Sequence, residues 1–410
     1  MKLNARPIFS ALIYNWIAPS LVALQIAVVL AVLVNAIYVV KQRIDRISRP
    51  NGMDVENIIA VRSLGFAQDY DHEATIRADL DYLRSLSGVV AITPIDNVPL
   101  SGSGNSMGVM LVPDDQSRAV GTSYYEVDQH AIAALGLNLV AGRGFREDEM
   151  VPPRTGDTGS RTAPSVIITR ALADDLFPKG DALGKTMYDS FGWLAHPATI
   201  VGIVEQMHGS RVGSPRVDRV TLVPRVPYPD EPAVHYIVRA QPGQRDEVMR
   251  LVEQRLATSN PNRIIEWVRP LEFFRARSYL TDRNISIFLV TITGVLLALG
   301  AVGVFGLARF NVGARTKQIG IRRALGARRI DILSYFLIEN WLVATTGVIL
   351  GCALALGAGY WLSIKYSLPR LDLYYLAGGV VVIWLVALLA AWQPARRAAS
   401  VSPAEASRTI

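Results

Sequence analysis

The stretch ISIFLVTITGVLLALGAVGVFGLA, from Ile285 to Ala308, decides the fold because it carries no charge and is long enough to cross a membrane. The hydrocarbon core of a bilayer is ~30 Å thick and requires roughly 20 residues of helix. Three more stretches of this kind occupy residues 20–40, 341–364 and 374–393. Apolar helices buried in soluble proteins usually extend over about 10–14 residues. The sequence therefore predicts an integral membrane protein with four transmembrane α-helices.

The first of these stretches is interpreted as a retained anchor rather than a cleaved signal peptide. Its apolar run exceeds the roughly 7–15 residues of a signal-peptide core, and no small-residue cleavage pattern follows it. The charged residues Lys41, Arg43, Asp45 and Arg46 follow instead.

The distribution of charge along the chain predicts its orientation. Residues 41–283 contain 28 Lys and Arg against 31 Asp and Glu, whereas the remainder contains 14 against 4. Seven of the basic residues lie between the second and third spans, which places residues 309–340 in the cytoplasm by the positive-inside rule. Residues 41–283 are then outside, and both termini are inside.

Four basic residues after the first span, at positions 41, 43, 46 and 49, oppose this orientation. Long translocated domains largely escape the positive-inside rule, so we interpret this flank as a continuation of the first helix into an external stalk. Because the basic excess belongs to the membrane part, no nucleic-acid partner is indicated.

The predicted architecture is a membrane protein with a large mixed α/β extracytoplasmic domain between the first and second spans. In order, the predicted segments are a cytoplasmic N-terminal segment (1–19), a transmembrane helix (20–40), the extracytoplasmic domain with stalk helices at both ends (41–283), a transmembrane helix (284–308), a cytoplasmic coupling segment (309–340), a transmembrane helix (341–364), a short external loop (365–373), a transmembrane helix (374–393) and a cytoplasmic tail (394–410).

Strands and helices alternate in the outer domain. β-Branched residues predict strands and a 3.6-residue apolar period predicts helices, with Thr169 as the cap of one helix. The predicted elements are strands at Ser165–Thr169, Thr199–Val204 and Val234–Val238, helices at Arg170–Phe177 and Gly243–Ala257, loops at 99–108, 150–164 and 209–232, and an amphipathic stalk from Leu271 to Asn284 that runs into the second span.

Several stretches resemble catalytic or ligand-binding motifs of other proteins, but they lack the spacing or the neighbouring secondary structure that those motifs require. The run from Gly180 to Thr186 is one residue short of a P-loop, and Ser106 of a G-x-S-x-G pattern lacks the strand before and helix after it. The histidines are dispersed, and Asp69–Glu73 lacks the glycine and distal glutamate of a calcium loop. The lone Cys352 lies in a span. No catalytic residue and no metal site is predicted.

The third span carries small residues at every fourth position: Gly347, Gly351, Ala355 and Gly359. Such a ridge lets another helix approach closely. Packing within one chain and contact with a second subunit are both open. Gln25 and Asn35 of the first span either hydrogen-bond to a neighbouring helix or line a substrate route.

The cytoplasmic segment predicts a short basic helix. Arg315, Gln318 and Arg322 fall on one stripe, with Ile319 beside them, whereas Gly320 and Ala324 lie on the other side, where close packing is possible. Gly326 is expected to end this helix and Ile330 to begin the next. Two interpretations of the helix are open: it lies on anionic lipid, or it docks into a groove of a soluble partner.

This segment resembles the signature of MacB/FtsX-type permeases of ABC transporters, approximately R-x-K-E-I-G-I-R-R-A-x-G-A. The matching positions are Arg315, Lys317, Ile319, Gly320, Ile321, Arg322, Arg323, Ala324, Gly326 and Ala327. Gln318 stands where the family usually has Glu, which keeps a hydrogen bond and removes a charge. Further similar phrases are Leu135-Gly136, Gly142–Phe145, Leu172–Pro178, Leu183–Lys185 and Val201-Gly202 in the outer domain, and Pro394–Ala399 and Pro403–Ala406 near the C-terminus.

The resemblance implies a permease in the bacterial cytoplasmic (inner) membrane with its large domain in the periplasm. It implies a separate ABC ATPase chain that binds ATP and magnesium and docks on the coupling residues above, with no cofactor in this chain. A second permease copy or a related permease, a periplasmic adaptor and the lipid bilayer are the other implied partners. The expected function is mechanotransmission from the ATPase to the periplasmic domain for export of a substrate. The alternatives are a non-transporting signalling subunit that activates an extracytoplasmic partner, and a membrane-anchored enzyme.

Overall fold

The computed structural model of the chain describes residues 16–67, 70–113, 115–151, 164–189, 197–227, 233–366 and 371–401. Two compact units divide it. The membrane unit consists of the chain up to Ile47 and from Asp282 onward, and the outer domain extends from Ser48 to Thr281. This arrangement confirms a large mixed α/β domain between the first apolar helix and the later ones.

Four helices in the described part of the chain are long and apolar enough to cross a membrane. They are α1 (Ile17–Ser48), α7 (Leu280–Ala314), α9 (Arg329–Tyr366) and α10 (Leu373–Ser400), and each contains one of the predicted spans. The short helix α8 (Thr316–Ala324) lies between α7 and α9. Leu30, Val34, Ala355 and Ala391 are fully buried at the centre of this unit.

The small-residue ridge of α9 packs against α1 of the same chain. A Cβ atom added to Gly347 would lie 2.7 Å from the Ala23 carbonyl oxygen, and one added to Gly351 would lie 3.0 Å from the Ala27 carbonyl oxygen. Further along the ridge, the Asn35 amide donates a hydrogen bond to the Ala355 carbonyl at 3.1 Å. A Cβ on Gly359 would meet the Asn35 side-chain oxygen at 3.3 Å. The ridge is thus used in packing within the chain.

The two connections to the outer domain differ from each other. As predicted, α1 continues through the basic flank, to Ser48. The predicted stalk at Leu271–Asn284 is instead two helices, α6 (Leu271–Ser278) and the start of α7, separated at Tyr279. Tyr279 is buried, and the Ser278 hydroxyl donates to the Leu100 carbonyl, so local contacts interrupt a helix that no Gly or Pro would end. Within the membrane unit, an ion pair between Arg43 and Asp282 joins α1 to α7.

One half of the outer domain is an antiparallel four-stranded sheet in the order β11-β1-β10-β2. Helices α2 and α5 connect β1 to β2 and β10 to β11, which gives the split β-α-β arrangement. The apolar sides of both helices pack on one face of this sheet, around Val61, Tyr236 and Val252. The bounds are β1 (Ile58–Gly65), α2 (His72–Ser85), β2 (Val89–Ile95), β10 (Ala233–Ala240), α5 (Arg245–Ser259) and β11 (Arg263–Pro270).

The other half is inserted between β2 and β10, and its strand pairings close a circuit. The order β4-β3-β7-β8-β6-β9 returns to β4 through a parallel pairing of β9 with β4, and β5 pairs with β8. The bounds are β3 (Asn105–Met110), β4 (Val120–Val127), α3 (Ala131–Leu135), β5 (Leu139–Gly142), β6 (Ser165–Thr169), α4 (Arg170–Leu176), β7 (Thr186–Asp189), β8 (Ala198–Val204) and β9 (Val220–Pro224).

Apart from the stalk at Leu271–Asn284, the predicted strands and helices of the outer domain are all present, with ends that shift by a few residues. Thr169 precedes α4 as predicted, but its hydroxyl does not cap that helix. It donates to the Asp218 carbonyl at 2.7 Å and accepts from the Val220 amide at 3.1 Å, which ties β6 to the start of β9. Two of the predicted loops were wrong in part, because β3 begins within 99–108, at Asn105, and β9 lies within 209–232. Most of the third loop, 152–163, lies outside the described residues.

Candidate functional site

Helix α8 packs against the rest of the membrane unit through the apolar side chain of Ile319. Ile319 is buried and packs with Ile332 and Phe336 of α9 and with Ala395 and Ala398 of α10. This contact fixes which side of α8 faces inward. Gly320 is also buried, as expected for close packing, whereas Ala324 is exposed. The small residues at 320 and 324 therefore do not form one packed side.

Arg315 precedes α8 and points into the membrane unit. Its guanidinium Nη1 lies 3.0 Å from Oε2 of Glu339, a carboxylate that is 2% exposed near the start of α9. The Asn311 amide donates to the other carboxylate oxygen of Glu339 at 3.2 Å. Arg315 Nη1 is also 3.4 Å from the Tyr335 hydroxyl. Arg315 thus joins the end of α7 to α9, and it does not belong to the exposed stripe with Gln318 and Arg322.

The outward side of α8 combines charge with apolar surface. Lys317, Gln318 and Arg322 are exposed, and the Arg322 guanidinium carbon lies 5.1 Å from the centre of the Tyr335 ring. Ile321 is 61% exposed and Leu325 is 83% exposed. Arg323 is half-buried, beside this side of the helix. We call these six residues the α8 surface.

Gly326 ends helix α8 as the sequence predicts. Its φ of +94° is a left-handed conformation that favours glycine, and it follows the last turn of α8. The Arg328 amide then donates to the Asp331 carboxylate at 3.0 Å, which satisfies one backbone donor at the start of α9. Helix α9 begins at Arg329, one residue before the predicted Ile330.

Sequence reasoning missed the contacts that join Arg315 and Asn311 to Tyr335 and Glu339. A signal for Glu339 was present, because an acidic residue beside a long apolar run is costly unless it has a partner. Nothing in the spacing indicated that this partner is Arg315, which is separated from Glu339 by a helix and a turn.

The other motifs have structural roles. Gly180 and Gly184 occupy a turn between α4 and β7 with φ of +79° and +77°. Ser106 lies within β3, directly opposite Ser123 of β4. Asp71 caps α2 by accepting from the Ala74 amide at 2.9 Å, whereas Asp69 lies outside the described residues. The described residues contain no group of three or more His, Cys, Asp or Glu side chains placed to hold a metal ion.

Comparison with protein-family models gives two matches that together cover most of the chain. A model described as the MacB-like periplasmic core domain matches residues 20–255, and one described as the FtsX-like permease C-terminal matches residues 290–403.

Curated relatives have similar sequences over much of this chain. The macrolide export ATP-binding/permease protein MacB of Agrobacterium fabrum is 27% identical over 70% of this chain and 43% of its own length. A probable export ATP-binding/permease protein MacB of Pseudomonas entomophila is 26% identical over 87% of this chain and 50% of its own length. The chain thus spans about half the length of the curated relatives it matches.

A solved structure, the periplasmic region of MacB from Actinobacillus actinomycetemcomitans, aligns with 55% of this chain and 94% of its own length. The sequence identity is 12% and the TM-score is 0.34.

Proposed function

This chain belongs to the MacB/FtsX-type family of ABC transporter permeases, and we propose that it transmits the motion of a separate ATPase to its outer domain to export or extract a substrate. The membrane is the bacterial cytoplasmic (inner) membrane, with the outer domain in the periplasm. ATP and magnesium bind to the ATPase chain, which pairs with this chain through the coupling segment.

The observation that supports this proposal best is the α8 surface. Leu325 and Ile321 expose large apolar side chains next to Lys317 and Arg322. Covering an exposed apolar side chain with a partner surface lowers the free energy of the complex. The neighbouring cations favour a partner surface that is acidic. A groove with apolar walls and an acidic rim on an ATPase matches this helix by charge and by shape.

The attachment of α8 to α9 supports the transmission of force from the α8 surface into the membrane unit. Breaking a buried ion pair leaves an uncompensated charge, so the contact between Arg315 and Glu339 resists separation of the N-terminal end of α8 from α9. A force on the α8 surface therefore reaches α9 through Ile319 and Arg315. The ion pair between Arg43 and Asp282 then makes α1 and α7 move together.

The proposed cycle uses two permease subunits, either two copies of this chain or this chain with a related permease. ATP-driven closure of two ATPases brings the coupling segments together, and the stalk helices carry that motion outward. A periplasmic adaptor is a further proposed partner. The cycle requires two conformations whose populations the nucleotide shifts.

Charge reversal on the α8 surface tests this proposal. Arg322→Glu plus Arg323→Glu should abolish co-purification of the full-length permease with an ABC ATPase expressed beside it, and should lower ATP turnover to that of the free ATPase. The reason is that two positive charges become negative on the surface that meets the partner, a net change of four charge units, and like charges across an interface repel.

The matched control is Arg396→Glu plus Arg397→Glu, which makes the same charge change at two exposed residues of α10. This control should still co-purify with the ATPase. If the α8 variant assembles and turns over ATP like the parent, the α8 surface does not bind the ATPase and the proposal fails.

A further inference from the structure

The outer domain contains an open cavity of about 600 Å³, between the four-stranded sheet and the loop that follows β2. It lies on the sheet face opposite α2 and α5. The side chains that the argument uses are Arg62, Asp96, Glu126, His235, Trp267 and Phe274. Its volume is within the range of roughly 300–1,000 Å³ of sites that bind small molecules.

Aromatic rings form one wall of this cavity. Arg62 of β1 lies directly opposite His235 of β10 and directly opposite Trp267 of β11, so all three side chains point to the same face of the sheet. The centre of the Trp267 ring lies 5.9 Å from that of His235 and 5.0 Å from that of Phe274 on α6. Each ring is half-buried and has surface left to contact a ligand.

Most charges at the cavity are neutralised within the domain. Glu126 is 3.1 Å from the guanidinium of Arg225, and Arg62 is 3.2 Å from the carboxylate of Glu266. The His235 Nδ1–H donates to the Asp96 carbonyl at 3.0 Å. Burial, and then the nearby Arg62, lower the pKa of His235 to about 4, so its ring is neutral near pH 7.

Asp96 is the exception. Its carboxylate accepts hydrogen bonds from the side-chain amides of Asn97 and Asn105 at 3.1 and 3.0 Å, and from the Glu126 backbone amide at 3.1 Å. No cationic side chain pairs with it among the residues that the structure describes. The amides hold the carboxylate in place and leave its negative charge without a counterion.

We propose that this cavity binds a small organic cation, whose charged nitrogen pairs with Asp96 and whose apolar ring contacts Trp267 and Phe274. A carboxylate and a cation attract more strongly in a partly enclosed cavity than in water, and aromatic faces attract cations as well. The binding site itself goes beyond the proposed transport function. That the bound cation is the exported substrate rests on that function.

The ionisation of Asp96 supports the same assignment. Burial, followed by the negative charge of Glu126, raises the pKa of Asp96 to about 7. A bound cation favours the ionised carboxylate, so a cation of constant charge should bind more weakly as pH falls through 7. The other groups near Asp96 are Glu126, which is paired with Arg225, and Arg62, which is paired with Glu266. The ring of His235 is neutral near pH 7, and burial, followed by Asp96, raises the pKa of the Tyr125 hydroxyl.

Two dyes with a shared three-ring xanthene core test the proposal. Pyronin Y is a cation and fluorescein is an anion at about pH 8. Binding to the full-length permease in detergent is followed by fluorescence polarisation. Pyronin Y should bind saturably and fluorescein should not. Asp96→Asn should weaken pyronin Y binding by about tenfold or more, because it removes a charge-assisted contact.

Asp81→Asn is the matched control, since Asp81 is an exposed carboxylate on α2, on the other side of the sheet. It should bind pyronin Y like the parent. If Asp96→Asn does not fold, the parent protein decides the question alone: its affinity for pyronin Y should fall about tenfold between pH 8 and pH 6, as a carboxyl of pKa near 7 becomes protonated.

Three results would overturn the proposal. They are equal binding of both dyes, unchanged affinity in a folded Asp96→Asn variant, and pyronin Y binding to the parent that does not depend on pH. None of these measurements includes an ATPase. Dye binding without ATPase assembly would therefore refute the transport proposal alone, and ATPase assembly without dye binding would refute this site alone.

Discussion

The two faces of the four-stranded sheet each carry a buried or enclosed carboxylate, and the two carboxylates have different partners. On the side of the sheet covered by α2 and α5, the Asp79 carboxylate accepts hydrogen bonds from two nitrogens of the Arg263 guanidinium, one of them at 2.9 Å. The Tyr236 hydroxyl donates to the same carboxylate at 2.8 Å. On the cavity side, the hydrogen bonds that the Asp96 carboxylate accepts within the described part of the chain come only from uncharged amide groups.

This difference separates a charge that stabilises the fold from one that is available to a ligand. The side chains of Arg263 and Asp79 are 1% and 5% exposed, so removal of either partner would leave an unpaired charge away from water. Asp96 borders an open cavity, where an incoming cation could replace water at a carboxylate already held in position. On the covered face, the charge of Asp79 is thus paired with Arg263 of the same domain, whereas the charge of Asp96 on the cavity face has no cationic partner among the described residues.

The largest expected effect is the loss of stability on removal of the ion pair between Asp79 and Arg263. Asp79→Ala should lower the free energy of unfolding of the outer domain by about 3–5 kcal/mol, because Arg263 is left charged and buried without its partner. Pulse proteolysis of the full-length protein in increasing urea measures this change. Pyronin Y affinity of the folded fraction should stay at the parent value.

A double variant distinguishes loss of the ion pair from loss of packing. Asp79→Leu plus Arg263→Met replaces both charges by apolar groups and should recover most of the lost stability. Asp81→Ala, on the exposed side of the same helix, should change stability by less than about 0.5 kcal/mol. A cost below about 1 kcal/mol for Asp79→Ala would mean that this ion pair does not stabilise the covered face.

The membrane unit was predictable from the sequence to a degree that the outer domain was not. A span is a local property, since length and absence of charge in one stretch suffice to identify it. The turn at Gly326 was similarly local, whereas the burial of Ile319 against α9 and α10 was not predicted. The direction of Arg315 was not, because the stripe that groups it with Arg322 assumes one continuous helix, whereas α8 begins only after Arg315.

The cavity could not be found from sequence patterns. Its lining side chains come from β1, β2, β3, β4, β10, β11, α6 and the loop after β2, and they meet only once the strand register is known. Arg62, His235 and Trp267 are far apart in the chain, and nothing near any of them indicates the other two. Asp96 follows a strand and precedes an Asn, which is also an ordinary pattern for a turn.

A second, intermediate effect concerns the pH dependence of stability. Asp96 has a folded-state pKa of about 7, above its ordinary value near 4, so the folded protein binds this proton more tightly than the unfolded chain does. The stability associated with the protonated group is lost as pH rises from about 4 to about 7. Asp96→Asn cannot ionise and should therefore avoid this loss.

The variant should exceed the parent in free energy of unfolding by on the order of 2 kcal/mol at about pH 8, and the excess should shrink toward pH 4. This expected difference in free energy is smaller than the free energy that corresponds to the whole pKa shift of Asp96, because the cavity is open to water and water screens the charge. Pulse proteolysis in urea at several pH values measures it. A variant that is less stable than the parent at about pH 8 would show that the hydrogen bonds to Asp96 outweigh the cost of its charge.

The smallest expected effect tests whether the covered face influences the cavity at all. Asp71 caps α2 through the Ala74 amide, and Asp71→Ala should lower the free energy of unfolding by about 1 kcal/mol. Asp71→Asn keeps an acceptor at that position and should stay within a few tenths of a kcal/mol of the parent. Both should bind pyronin Y with parental affinity, because α2 lies across the sheet from the cavity. If Asp71→Ala also weakens dye binding severalfold, the two faces are coupled through the sheet, and stability and ligand binding are not separate properties of this domain.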